Sequence, residues 1–165
     1  MNNKSVIELT NITRKFITQD MTTTAVDNIN LSINQGDYVA ITGPSGCGKS
    51  TLLSILGLMD KATSGSYLLN GIDVNKLNTD QLAEVRNKEI GFIFQSFNLI
   101  DELTVWENVA LPLYYSASKG AGAKKAAAEA LDKVEMRHRL NHFPTQLSGG
   151  QQQRVAIARA LVMSP

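Results

Sequence analysis

Gly43-Pro44-Ser45-Gly46-Cys47-Gly48-Lys49-Ser50-Thr51 sets three glycines, one cation and three hydroxyls in nine consecutive positions. The order is glycine, four residues, glycine, lysine, serine, between the apolar stretch "DYVAIT" and the apolar stretch "LLSILGLM". Glycines let a backbone turn tightly enough for successive amide N–H groups to converge, and a helix starting behind them adds the positive end of its dipole. Such a cradle takes phosphate. Lys49 would then reach the β- and γ-phosphates of a nucleotide, Ser50 could ligate Mg²⁺, and Thr51 could support the phosphate contacts. A plain glycine turn before a helix would leave the lysine and the hydroxyls unexplained. Cys47 has no candidate base beside it in sequence, so it reads as a small residue that bound nucleotide would shield, not as a catalytic thiol.

A second group sits near the end, in "LSGGQQQRVAIARAL". Ser148 and Gln151 have capping-box spacing, which by itself predicts only a helix start. Gly149 and Gly150 are poor helix formers, and their place in the first turn makes sense where something must approach the backbone closely. A helix N-terminus stripped of side-chain bulk is a second anion site.

These residues need elements to position them. "SVIELTNITRKFI", "INLSI" and "DYVAITG" read as three strands, the third leading into the glycine loop. "LLSILGLM" continues as a helix, with Gly57 and Gly65 expected to close it. "GSYLLNGIDV" predicts a strand pair turning at Asn70-Gly71, followed by a helix over about 79–88 and a buried strand "IGFIFQ" over 90–95. Beyond Gln95 helix signals dominate: Thr104 and Glu107 in capping-box spacing, then an alanine-rich helix in "KKAAAEALDKVEM" entered through the loop "SASKGAG".

Composition sets limits. The 165 residues, 43% hydrophobic and 19% charged, suit one soluble domain or most of one. Sixteen Lys and Arg against fifteen Asp and Glu, with no basic block, offer nucleic acid no footprint. One cysteine excludes an intrachain disulfide. No apolar run approaches signal-peptide or membrane-span length, so association with a membrane would come through another chain.

"GPSGCGKST", "IGFIFQSFNL" and "LSGGQQQRVAIARAL", in that order, resemble the ATP-binding subunit of an ABC transporter, over essentially the whole chain. "RNKEIGFIFQSFNLIDELTVWENVALPL" resembles more narrowly the MacB- or LolD-like ATPases of macrolide export and lipoprotein release. The resemblance implies an α/β fold of the phosphate-loop NTPase class: a RecA-like core with an antiparallel β subdomain and an inserted helical subdomain. Residues 1–95 would form the β-rich core, 96–147 the helical subdomain, and 148–165 the signature motif and its helix. It implies that Gly43, Pro44, Ser45, Gly46, Cys47, Gly48, Lys49, Ser50 and Thr51 hold ATP and that Ser50 and Gln95 meet Mg²⁺. Lys49, Gln95, Ser148, Gly149 and Gly150 would share the catalytic work. In Gln95 it places the glutamine that touches the metal and the attacking water. Phe16 occupies the place of an aromatic that stacks on adenine, more often tyrosine in the family; a strand core residue is the alternative reading. The signature Ser148-Gly149-Gly150 would press on the γ-phosphate held by a second subunit, giving a homodimer around two ATP. An integral membrane subunit would hold the pair at the cytoplasmic face.

Family ATPases follow the signature helix with an apolar strand ending in aspartate and glutamate, then a switch histidine. The expectation is that the chain to Pro165 stops before that strand, so that the parent is the ATPase while these residues alone bind nucleotide with negligible turnover. Asp60, Asp101 and Glu102 do not follow such a strand, and His138 and His142 precede the signature and read as solvated helix-end residues. A soluble ABC-type ATPase of repair or translation is the alternative among ATPases, and a nucleotide-binding module without turnover is the alternative outside them.

Overall fold

The computed structural model describes residues 4–19, 21–116 and 122–165. These fall into two units, Met1–Leu82 and Ala83–Pro165.

In the first unit two long strands, β1 (Ser5–Ile17) and β2 (Thr22–Asn34), pair antiparallel, with Leu9 opposite Leu31 and Ile12 opposite Ile29. β3 (Ser64–Leu69) and β4 (Ile72–Asp73) extend the sheet in the order β2-β1-β3-β4. The β3–β4 turn falls at Asn70 (φ 49°) and Gly71 (φ 80°), the left-handed pair that a two-residue hairpin loop requires. β2 starts seven residues before the expected "INLSI" strand. The β1 register slips between Leu9 and Ile12, where Asn11 takes φ 53°. Gly65 lies against that bulge: a Cβ there would stand 2.5 Å from the Asn11 carbonyl oxygen. Gly65 therefore serves the sheet and does not close the preceding helix, as the sequence reading had it. Gly57 does, donating its N–H to Leu53 O at 2.8 Å.

α1 (Lys49–Leu56) fixes itself to the sheet through Ile55, which is buried, and through Leu56, whose carbonyl accepts from the Tyr67 hydroxyl at 2.9 Å. Burial pushes the Tyr67 phenol well above its ordinary pKa, so the hydroxyl remains a donor.

Two expected strands do not form. Among the described residues neither 37–43 nor 90–95 enters a ladder. A short apolar run favours a strand, but only a partner's N–H and C=O groups complete one. Tyr38 is 97% exposed, and 90–95 shows half-buried Phe92 and Phe94 flanking an exposed Ile93 where a buried strand was expected.

In the second unit α3 (Val105–Tyr114), α4 (Ala123–Asp132) and α5 (Gly149–Leu161) surround a core that includes Val105, Val109, Ala127, Leu131, Met136, Val155 and Ala158. Small residues at Ala127 and Ala158 let helix axes approach closely. The expected cap of α3 is present: the Glu107 carboxylate accepts from Thr104 N at 2.8 Å and from Thr104 Oγ1 at 2.5 Å. α2 (Thr79–Glu89) begins in a reciprocal bond pair between Asn78 and Gln81. The loop expected to enter α4 falls largely on 117–121, outside the described residues. Among them, no helix is long and apolar enough to cross a membrane.

Candidate functional site

The loop Gly43–Gly48 is shaped by three positive-φ glycines: Gly43 at 152°, Gly46 at 82° and Gly48 at 90°. Each has a different reason. A Cβ on Gly48 would stand 2.1 Å from the carbonyl oxygen of Ala25 in β2, so the loop is pressed against the sheet where no side chain fits. A Cβ on Gly43 would stand 2.8 Å from Cys47 Sγ. Gly46 has nothing within 4 Å, so its requirement is conformational alone.

α1 begins directly behind this loop with Lys49 and Ser50 in its first turn. The Lys49 ammonium lies back over the loop, donating to Gly43 O at 2.9 Å and Pro44 O at 2.6 Å, with Cys47 Sγ at 3.6 Å. The cation is thus already held at the mouth of the cradle. Ser50 is exposed and Thr51 half-buried. Cys47 is exposed, with its Sγ beside Gly43 and 3.6 Å from the Lys49 ammonium.

Phe16, near the end of β1, is 43% exposed, so the core-residue alternative fails. Its ring carries the Arg14 guanidinium 4.7 Å from the centroid, and Arg14 is itself paired with Asp60 at 2.8 Å. Asp60 is therefore occupied in an ion pair beside the aromatic ring.

In the second unit the signature helix α5 opens with the expected reciprocal cap: Ser148 N donates to Gln151 Oε1 at 2.9 Å and Gln151 N to Ser148 Oγ at 3.4 Å. Gly149 and Gly150 are exposed, and a Cβ at either would meet nothing within 4 Å. Packing among the described residues gives no reason for glycine there. His138 is exposed as expected, while His142 is half-buried with Nε2 2.8 Å from Arg139 NH1, so it is not simply a solvated helix-end residue.

Gln95 is exposed and enters a tight reversal in which Phe97 (φ 60°) and Asn98 (φ 49°) are consecutive left-handed residues. Asparagine tolerates that conformation; for phenylalanine it costs about 1–2 kcal/mol. The carbonyls of both accept from Arg159 of α5, at 2.6 Å for Phe97 and 2.5 Å for Asn98. Partial burial lowers the Arg159 pKa from its usual value, which is high enough that the side chain stays cationic. Further on, fully buried Asn108 accepts from Ile100 N at 2.8 Å and donates Nδ2 to the carbonyls of Ile100, Leu103 and Thr104 at 3.0–3.1 Å.

Residues 26–165 match the family model described as "ABC transporter". The chain belongs to the ABC transporter family. It is 48% identical to the macrolide export ATP-binding/permease protein MacB of Pectobacterium atrosepticum, over 96% of this chain and 24% of that protein. It is also 48% identical to an uncharacterized ABC transporter ATP-binding protein of Methanocaldococcus jannaschii, over 97% of this chain and 70% of that one. The chain thus spans about a quarter of the MacB relatives it matches. A dimeric ATP-binding cassette, solved in a post-hydrolysis state bound to ADP and Pi, superposes with a TM-score of 0.85 at 47% identity, covering 96% of this chain and 70% of that one. The fold is the α/β fold of ABC cassettes, with an antiparallel sheet and a helical unit.

Three residues of this ABC chain escaped the sequence reading: Arg14 over Phe16, Asn108 beneath 100–104, and Arg159. The only signal for Arg159 was a cation inside the otherwise apolar run "AIARALV" of the signature helix. A buried asparagine in "WENVALPL" looks like any polar position until its partners are known.

Proposed function

We propose that this chain is the nucleotide-handling part of an ABC transporter ATPase, binding Mg-ATP and coupling its hydrolysis to transport through a membrane subunit. The observation that carries the reading is that one chain presents two helix starts cleared for anions. One is α1 behind Gly43–Gly48, with the Lys49 ammonium fixed at the loop mouth. The other is α5, whose Gly149 and Gly150 answer to nothing in their own chain.

The residues fit the group they would hold. Backbone N–H groups of 45–48 and the Lys49 ammonium suit the phosphates, Thr51 supports them, and the exposed ring of Phe16 offers adenine the face opposite Arg14. The Ser50 hydroxyl is a hard oxygen donor of the kind Mg²⁺ takes, and the exposed Gln95 amide is the second such group. When bound, Mg²⁺ neutralises charge that develops on the transferring phosphoryl group. Lys49 contributes a fixed positive charge in the same sense, and Gln95 would orient water.

Ser148, Gly149 and Gly150 have no target within their own unit, which supports a second copy as their partner: the signature of one chain would close on the nucleotide held by the other. A dimeric cassette among the similar structures, and permeases fused to MacB relatives, support a dimer held at the cytoplasmic face by a membrane subunit. The 1–95, 96–147 and 148–165 division would give the β-rich core with its phosphate loop, the helical subdomain, and the signature motif with its helix to successive segments.

The test is Mg-ATP turnover by the full-length protein against its concentration, with Ser148→Arg as control. Turnover per chain that rises with dimer formation and disappears in the variant is the expected result. Turnover of a monomer, unaffected by Ser148→Arg, would overturn the two-chain site.

A further inference from the structure

The segment carrying Gln95 meets one turn of the signature helix at both ends and is bonded to it at one. At its start, Gly91 lies so close to α5 that a Cβ would stand 2.4 Å from the carbonyl oxygen of Ala160. At its end, Arg159 holds the carbonyls of Phe97 and Asn98. The reversal between them is closed locally by Phe97 N on Phe94 O at 3.2 Å and Asn98 N on Ser96 O at 2.6 Å. Those bonds alone close the turn. They do not require two left-handed residues whose carbonyls both reach the same guanidinium.

Beyond the reversal the chain is fixed differently. Asn108 is fully buried and holds 100–104 through four hydrogen bonds, so that stretch moves with α3. Arg159 is only half-buried, and its grip consists of two side-chain bonds to backbone carbonyls. α5 also begins at Ser148-Gly149-Gly150, three turns before Arg159.

We propose that Arg159 is a positioning residue for Gln95: it links the placement of the glutamine to the seating of the signature helix, so that the glutamine is aligned for chemistry only while α5 is in register with 91–98. This rests on the ATPase reading above, although the tie between Arg159 and 97–98 stands apart from it. Arg159 acts on the backbone of 97–98 and through it on Gln95. A planar guanidinium serves two adjacent carbonyls at once, which a lysine ammonium does less well.

The experiment uses the full-length protein with Arg159→Lys and Arg159→Met. Hydrogen exchange at the amides of 94–99 should quicken about tenfold in Arg159→Met, with α3 and α4 unchanged and Arg159→Lys intermediate. Mg-ATPase kcat should fall about tenfold in Arg159→Met with nucleotide affinity within twofold of the parent, and Arg159→Lys should recover part of it. Unaltered exchange at 94–99 in both variants overturns the proposal, as does loss of kcat and nucleotide affinity together with a lowered Tm. If Arg159→Met does not fold, Arg159→Lys decides the same points. A parent that turns over no ATP refutes the ATPase reading instead, and the exchange measurement still decides whether Arg159 positions the segment.

Discussion

Gly48 and Ala25 meet backbone to backbone: a Cβ on the glycine would stand 2.1 Å from the alanine's carbonyl oxygen. The Gly43–Gly48 loop is therefore set by its seat on β2 as well as by its own dihedral angles. Gly48→Ala must displace either the strand or the loop, and its φ of 90° adds backbone strain, for a total of about 2–4 kcal/mol. Gly46→Ala, with φ 82° but open space, should cost only about 1 kcal/mol. Thermal unfolding of the two variants should rank them in that order, and ATP titration should show the larger loss for Gly48→Ala.

Lys49→Ala removes the cation held at the loop mouth. Its bonds to Gly43 O and Pro44 O are exposed and contribute little to the fold, so Tm should stay close to that of the parent. Nucleotide binding should weaken by roughly 1.5–3 kcal/mol, about tenfold or more, the value of a lost charge-assisted contact. Isothermal titration with Mg-ATP measures it.

How far the sequence could be read depended on whether a feature is local. The Asn70-Gly71 hairpin and the caps at Thr104 and Ser148 need only neighbouring residues, and all appeared where the pattern put them; the Gly43–Gly48 turn is local in its glycines but takes its seat from Ala25. The strands expected at 37–43 and 90–95 failed because a ladder needs a partner that no local pattern supplies. Gly65 was misassigned for a related reason: its contact is with Asn11, far away in sequence. Arg159 and Asn108 were invisible because their partners are backbone groups, which no side-chain pattern marks.

Asn108 supports four hydrogen bonds from a fully buried site. Asn108→Ala leaves Ile100 N and three carbonyls to find new partners out of reach of water, a loss of about 2–4 kcal/mol. Asn108→Asp should be worse at neutral pH than in acid, because an ionised carboxylate would face three carbonyl oxygens. Denaturant unfolding at two pH values distinguishes the pair.

Glu107 predicts an acid dependence with a definite sign. The Thr104 hydroxyl, then the Thr104 N–H, hold its carboxyl below the usual 4.5; desolvation opposes them in part, and the charge of Lys124 adds the smallest lowering. A depressed folded-state pKa contributes stability that is present above the unfolded value and is lost as pH falls through the folded one. The parent should therefore lose stability below about pH 4.5 relative to Glu107→Gln, which keeps an acceptor for Thr104 but does not titrate. Parallel unfolding curves between pH 3 and pH 6 would show the gap closing in acid; a constant gap would mean that Glu107 contributes no linkage.

Gly150 gives a prediction in which stability and function move in opposite directions. It lies in the first turn of α5 with ordinary negative φ and nothing within 4 Å of an added Cβ. Gly150→Ala should therefore stabilise the folded chain by up to about 1 kcal/mol, through higher helix propensity and a less flexible unfolded state. If the open helix start exists to receive the phosphates bound by a second chain, the same methyl group stands where that partner must approach. Turnover and nucleotide-driven dimerisation should then fall while Tm rises. Sedimentation with Mg-ATP, together with thermal unfolding of the same samples, measures both. A variant that is more stable and equally active would show that glycine at 150 is not kept open for a partner, and the two-chain site would lose the observation that most favours it.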